Sequence, residues 1–209
     1  MAKHFRPLIL IFLLFGAAVG IANADTVFNF DNSDFATPFM EISNGVTATF
    51  TATPAGPLMG ETATSFGTIP AAGEFSSFTG NALTNPVSGP WILNVSFNSD
   101  AAGISLLFAT VSNHDDTQPN KGVFTRSAFE NSTLVGSVNA SGVLPPGFKH
   151  PEGSIGLAGV VFNNVVMSAD TPIFAIDDIH LDPVVALEPA SFLLLYSGLA
   201  GVAALPRRK

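Results

Sequence analysis

The sequence contains no cysteine, so no disulfide can staple the chain and no thiol chemistry is open to it. Basic residues are scarce: 8 Lys and Arg stand against 16 Asp and Glu, a formal net charge of −8 over 209 residues. Five of the eight lie at the ends, Lys3 and Arg6 at one and Arg207, Arg208 and Lys209 at the other. Lys121, Arg126 and Lys149 are left to face fifteen acids between residues 25 and 187, a net charge near −12. Such a segment repels nucleic acid and anionic headgroups; neutral polysaccharide and divalent cations remain compatible. Trp91 is the only Trp, and the only Tyr is Tyr196 near the C-terminus. Exposed Trp or Tyr platforms on which sugars stack are therefore nearly absent.

Catalytic signatures are missing too. There is no Gly-x-Ser-x-Gly elbow, no His-Glu-x-x-His and no phosphate-cradling glycine loop. His114 sits with Asp115 and Asp116 in a polar stretch that reads as a loop, and three adjacent side chains cannot close a metal shell. His150 and His180 have no partner visible in the sequence and read as surface residues. Asp115-Asp116 and Asp177-Asp178 are pairs only along the chain. Neighbours on a strand point to opposite faces, so neither pair is an acid–base dyad. These absences predict a protein that is not an enzyme.

What is abundant is phenylalanine, 19 of them, in a middle segment long enough to bury a real core. Period-two patterns dominate there. Val46–Thr51 alternates with Thr outward, and Trp91, Leu93, Val95 and Phe97 share one face of a strand. Gly103–Val111 reads as a buried strand. Thr133–Val138, Gly159–Phe162, Val165–Ser168 and Pro172–Ile176 read as shorter ones, with Asn98-Ser99-Asp100 and Asn163-Asn164 as intervening turns. One or two further strands are expected around Phe66 and Phe75–Phe78. The prediction is an all-β fold, an antiparallel β-sandwich or jelly roll.

The ends follow a different plan. Lys3, His4 and Arg6 precede an apolar run from Leu8 to Ile21 that closes on Ala22-Asn23-Ala24. That is the three-part layout of a secretory signal peptide; the competing reading is an uncut membrane anchor. Signal peptidase would cut after Ala24 and leave Asp25 as the first mature residue. At the other end, Leu187-Glu188-Pro189-Ala190 leads into an uncharged segment over 190–205 and then into Arg207, Arg208 and Lys209. Apolar residues on every side of a helix, capped by a basic cluster, read as a membrane helix with its C-terminus held in the cytoplasm; the competing reading is a C-terminal helix docked on the core. The expected organisation is thus a signal peptide over 1–24, a β-sandwich ectodomain over 25–182, and a tether plus tail over 183–209.

The tail resembles the PEP-CTERM sorting signal: a short Pro-Glu-Pro motif, a Leu/Gly/Ala-rich helix and a terminal Arg cluster. Here Glu188-Pro189-Ala190 matches the second half of the motif, with Leu187 in place of the first proline. Phe174-Ala175-Ile176-Asp177-Asp178-Ile179 and Val27-Phe28-Asn29-Phe30-Asp31 likewise resemble the last and first strands of such ectodomains. The resemblance implies processing by exosortase, a stay in the inner membrane, and a final place on the cell surface or in the extracellular matrix. It implies no reaction.

Two functions follow: a structural or adhesive module, or a carbohydrate-binding module for exopolysaccharide stabilised by Ca²⁺. Exposed aromatics in a groove would favour the second, and a smooth polar surface the first. Calcium would sit where the first and last strands meet, on Asp31 and Asp178. Alternation gives Asp178 the parity of Phe174 and Ile176, both expected in the core. In the competing reading the aspartates accept hydrogen bonds from backbone amides.

Overall fold

A computed structural model describes residues 26–31, 36–54, 66–85, 91–111 and 122–184. The expected signal peptide, the sorting motif and membrane helix, and the His114 loop lie outside these residues. Among the described residues there is no helix, and hence none long and apolar enough to cross a membrane.

Ten antiparallel strands form the fold: β1 (Thr26–Phe28), β2 (Phe39–Ser43), β3 (Val46–Pro54), β4 (Gly67–Pro70), β5 (Asn81–Thr84), β6 (Trp91–Val111), β7 (Val123–Glu130), β8 (Thr133–Ser141), β9 (Glu152–Ala169) and β10 (Ile173–Pro183). Two of them, β6 and β9, run through both layers of a sandwich. The first part of β6 pairs β3 and the last part of β9, with Phe50 opposite Val95 and Val95 opposite Val165. The second part pairs β10 and the first part of β9, with Ala109 opposite Ala175 and Glu152. Between Ser96 and Ala101 the register slips. Strands that switch sheets at such irregularities make the corners of sandwiches. The front layer is therefore β2-β3-β6-β9-β7-β8. The back layer is β9-β6-β10, extended by β5 and β4 and, beside the end of β10, by β1.

The corner corrects the sequence reading. Asn98-Ser99-Asp100 and Asn163-Asn164 have turn chemistry, yet each lies inside one continuous strand. The chain spends its extra residues on a bend rather than on a reversal. Phe75–Phe78 is not a strand either; it belongs to the Ala71–Gly80 segment laid over the outer side of the back layer.

Between the layers the inward positions make one core. Trp91, Leu93, Val95 and Phe97 are all buried, as their alternation requires. Rings carry much of the contact across the sandwich. Phe108 of the back layer stacks on Phe124 of the front at 4.9 Å between centroids, and Phe124 meets Phe174 edge-on at 5.4 Å. Offset and edge-on aromatic pairs add about 0.5–1.5 kcal/mol each beyond the area they bury. Beside Phe124 on β7 lies Arg126, fully buried. Its Nη1 donates to the carbonyls of Ile104 (3.0 Å) and Ile155 (3.2 Å) in the opposite layer, tying the two sheets together. Burial lowers its pKa to about 10.

A smaller cluster on the far side of the back layer holds the Ala71–Gly80 segment. Phe75 and Phe78 stack at 4.6 Å and pack with Ala71, Ala82, Ala109 and Ala175. Two buried carboxylates latch its backbone. Glu152 accepts the N–H groups of Ser76 (2.7 Å) and Ser77 (2.8 Å), and Asp177 accepts that of Thr79 (3.2 Å).

Candidate functional site

Of the acidic residues singled out from the sequence, Asp31, Asp177 and Asp178 gather at the seam between β1, β10 and the Ala71–Gly80 segment; Asp115 and Asp116 lie outside the described residues. The structure inverts the expected parity there. Asp177 is fully buried and Asp178 only half-buried. The cause is a bulge between Asp177 and His180, with Asp178 in the left-handed region at φ 47°. Asp tolerates that conformation better than most residues. Phe174 and Ile176 face the core before the bulge, Ile179 and Leu181 after it. The extra residue leaves Asp178 outside.

The bonds of the Asp31 and Asp177 carboxylates go to backbone amides. Asp31 accepts the N–H of Asn81 (2.9 Å), and Asp177 accepts those of Asp178 (2.8 Å) and Thr79. Burial, then the charge of Asp178, pushes the Asp177 carboxyl up to about 6; the two amide bonds pull the other way, and Asp31 adds a smaller push upward. Among the described residues no three His, Asp or Glu side chains stand close enough to hold a metal ion. Asp31 and Asp178 are two carboxylates of the six to eight oxygens that calcium takes.

His150 corrects the sequence reading as well. It is half-buried, its ring 5.5 Å from that of Phe75 and its Nε2 3.7 Å from Glu74. His180 is exposed, as expected. It lies with Asp178, Ser105 and Ser154 around a shallow depression on the back layer.

The other broad surface is the outer face of the front layer. Strand register arranges its side chains in rows. One row crosses Thr51, Asn94, Val166, Ser127 and Ser137. The next crosses Thr53, Ile92, Ser168, Thr125 and Asn139, and the one on the corner side crosses Met40, Thr49, Ser96, Asn164, Phe129 and Leu134. Not one of these sixteen positions carries Asp, Glu, Lys or Arg. Hydroxyls and amides meet along and between the rows: Ser127 Oγ is 3.0 Å from Ser137 Oγ, and Asn94 Nδ2 donates to Thr53 Oγ1 of the next row at 3.4 Å. In a chain so rich in acid, an uncharged sheet face of hydroxyls, amides and interspersed apolar side chains is a distinct surface.

At its corner end the face deepens into a cleft of about 430 Å³ lined by Phe129, Asn131, Ser132, Asn163, Asn164 and Val166. Two local features build it. The β7–β8 turn places Asn131 and Ser132 at φ 46° and 70°, the paired left-handed geometry of a tight hairpin. The β9 corner leaves both Asn163 and Asn164 between the inward Phe162 and Val165. The two features are joined. Asn163 Nδ2 donates to Asn131 Oδ1, and Asn131 N–H donates to Asn163 Oδ1, each at 3.4 Å. Sequence reasoning missed this site. Asn163-Asn164 was visible only as a turn signal, and β7 had no visible strand pattern.

No protein-family model matches the sequence, and no curated protein matches it. Among solved structures the chain is similar to the K2 cleaved adhesin domain of Lys-gingipain, at 15% identity over 63% of this chain and 88% of that one, TM-score 0.37. It is similar to a carbohydrate-binding module from Clostridium stercorarium in complex with cellobiose, at 13% identity over 56% of this chain and 94% of that one, TM-score 0.31. It is also similar to the catalytic domain of a GH87 α-1,3-glucanase in complex with nigerose, at 12% identity and TM-score 0.36, covering 78% of this chain but only 28% of the glucanase chain. At TM-scores of this size the likeness carries neither a site nor an activity across.

Proposed function

We propose that this protein is an exported, exosortase-sorted component of the cell surface or extracellular matrix, and that its sandwich is a non-enzymatic adhesive module. The observation that carries the adhesive role is the uncharged outer face of the front layer. Adhesion to a hydroxyl-rich neutral polymer needs donors and acceptors in quantity and no fixed charge, and the Thr, Ser and Asn rows offer both. The acidic remainder of the surface keeps the molecule soluble and away from nucleic acid and anionic lipid. A non-enzymatic role is supported by the acids themselves: Glu152 and Asp177 are engaged in holding backbone. Sorting is supported by the signal-peptide layout ending at Ala24 and by the Leu187-Glu188-Pro189 tail with its basic end.

The test is retardation of the full-length chain, in mild detergent, through native gels containing a neutral polysaccharide. Hydroxyethylcellulose, galactomannan and dextran serve as probes. At least one should slow the protein, and the pair Thr51→Glu and Ser127→Glu should abolish the effect by placing charge at the centre of the face. Normal mobility of the wild-type chain in all three refutes the adhesive reading.

A further inference from the structure

We infer that the cleft at the corner end of this face is a subsite for a single uncharged sugar ring, with Phe129 as the stacking surface and Asn131, Asn163 and Asn164 as the hydrogen-bonding groups. The inference rests on the adhesive reading of the face and deepens it by naming the partner's chemistry. A volume of about 430 Å³ falls in the range of small-molecule sites, about 300–1,000 Å³. The lining has the two kinds of group a pyranose requires. One is an apolar patch: the C–H face of a sugar ring packs on the electron-rich face of an aromatic side chain, and Phe129 and Val166 are both half-exposed there. The other is a set of amides. Each sugar hydroxyl brings a donor and an acceptor, and a side-chain amide offers both on one rigid plane.

The geometry prepares these amides. Asn131 and Asn163 hold each other through two hydrogen bonds, so the side chains enter binding already oriented, and less rotamer freedom is lost on contact. The same lining disfavours an acidic sugar. Among the described residues no cation lines the cleft; the Lys and Arg residues among them are Arg126, buried between the layers, and Lys149, in the segment before β9. A uronate carboxylate would surrender its hydration for neutral amides inside an acidic molecule. The ligand class is therefore a neutral hexose or pentose within a polymer whose neighbouring units run out over the Ser127 and Thr51 row.

The gels described above test this with three cleft variants and with polygalacturonate as an acidic probe. Phe129→Leu keeps apolar volume and removes the ring face, and Asn163→Ala removes the central amide. Each should weaken binding of the retarding neutral polymer about tenfold, the size of one or two lost contacts. Phe129→Trp should bind at least as well as the wild type, which a merely structural role for Phe129 would not give. Polygalacturonate should not retard the chain. If the cleft variants bind like the wild type while Thr51→Glu and Ser127→Glu do not, the face stands and the subsite is overturned. Retardation by polygalacturonate overturns the neutral class, and failure of every neutral probe brings down the adhesive reading itself.

Discussion

Asp177 gives the most quantitative prediction. Its carboxyl is fully buried and its pKa stands at about 6, against an ordinary value of 3.8, with burial as the main cause. Between those two values the folded chain keeps a proton that the unfolded chain has released. Stability therefore falls as pH rises through that window and levels off above it. The shift spans about two units, and each unit is worth about 1.4 kcal/mol, so the charged carboxylate costs the folded state about 3 kcal/mol at pH 7. Asp177→Asn removes the titration. The amide keeps one acceptor for the Asp178 or Thr79 N–H and turns its own N–H₂ toward the other, a mismatch of about 1–3 kcal/mol. That offset is the same at every pH. The difference in unfolding free energy, Asp177→Asn variant minus wild type, should thus rise by about 2.5 kcal/mol between pH 4 and pH 7, the unfolded carboxyl having already released part of its proton at pH 4. Urea denaturation at four or five pH values measures it. Glu41, whose pKa burial raises to about 7, contributes a similar slope to both chains and cancels. Parallel stability profiles for the two chains would refute the account of Asp177 as a buried acid.

Trp91→Ala and Phe174→Ala should each cost about 3–5 kcal/mol in urea denaturation, since both side chains are buried between the layers; losses below about 1 kcal/mol would contradict that placement. Glu152→Ala should free the Ala71–Gly80 segment, and hydrogen exchange at Ser76 and Ser77 should accelerate far more than at Val95 or Met167, because only the first two amides donate to Glu152. Glu188→Ala with Pro189→Ala should leave the tail uncut and the protein in the inner membrane, as read by mass analysis of the mature chain; unchanged tail removal would show that this motif is not what exosortase reads.

Much of the fold was legible because alternation is a direct imprint of burial. Val46–Thr51 and Trp91–Phe97 announce their inward faces residue by residue. β7 was not legible because its inward series is Phe124, Arg126, Ala128. A buried guanidinium at the centre breaks the apolar period, and its compensation, two carbonyls on the opposite sheet, cannot be seen along the chain. The corners were misread for a related reason: Asn-rich bends and Asn-rich reversals use the same residues. The parity of Asp178 failed at a bulge, where one extra residue moves every later side chain to the other face. The candidate cleft was illegible altogether, since it joins a β7–β8 turn to a β9 corner some thirty residues away.

The central claim is that the uncharged outer face of the front layer is the contact surface for a neutral polysaccharide. An amide chemical-shift titration of the isotope-labelled chain with a neutral oligosaccharide cut from the polymer that retards it tests this directly. The account predicts saturable shifts clustered on Thr51, Asn94, Ser127, Asn163 and Asn164, strongest around the Phe129 cleft. Shifts clustered instead on the Ala71–Gly80 segment or around Asp178 and His180, with the front face silent, would contradict it.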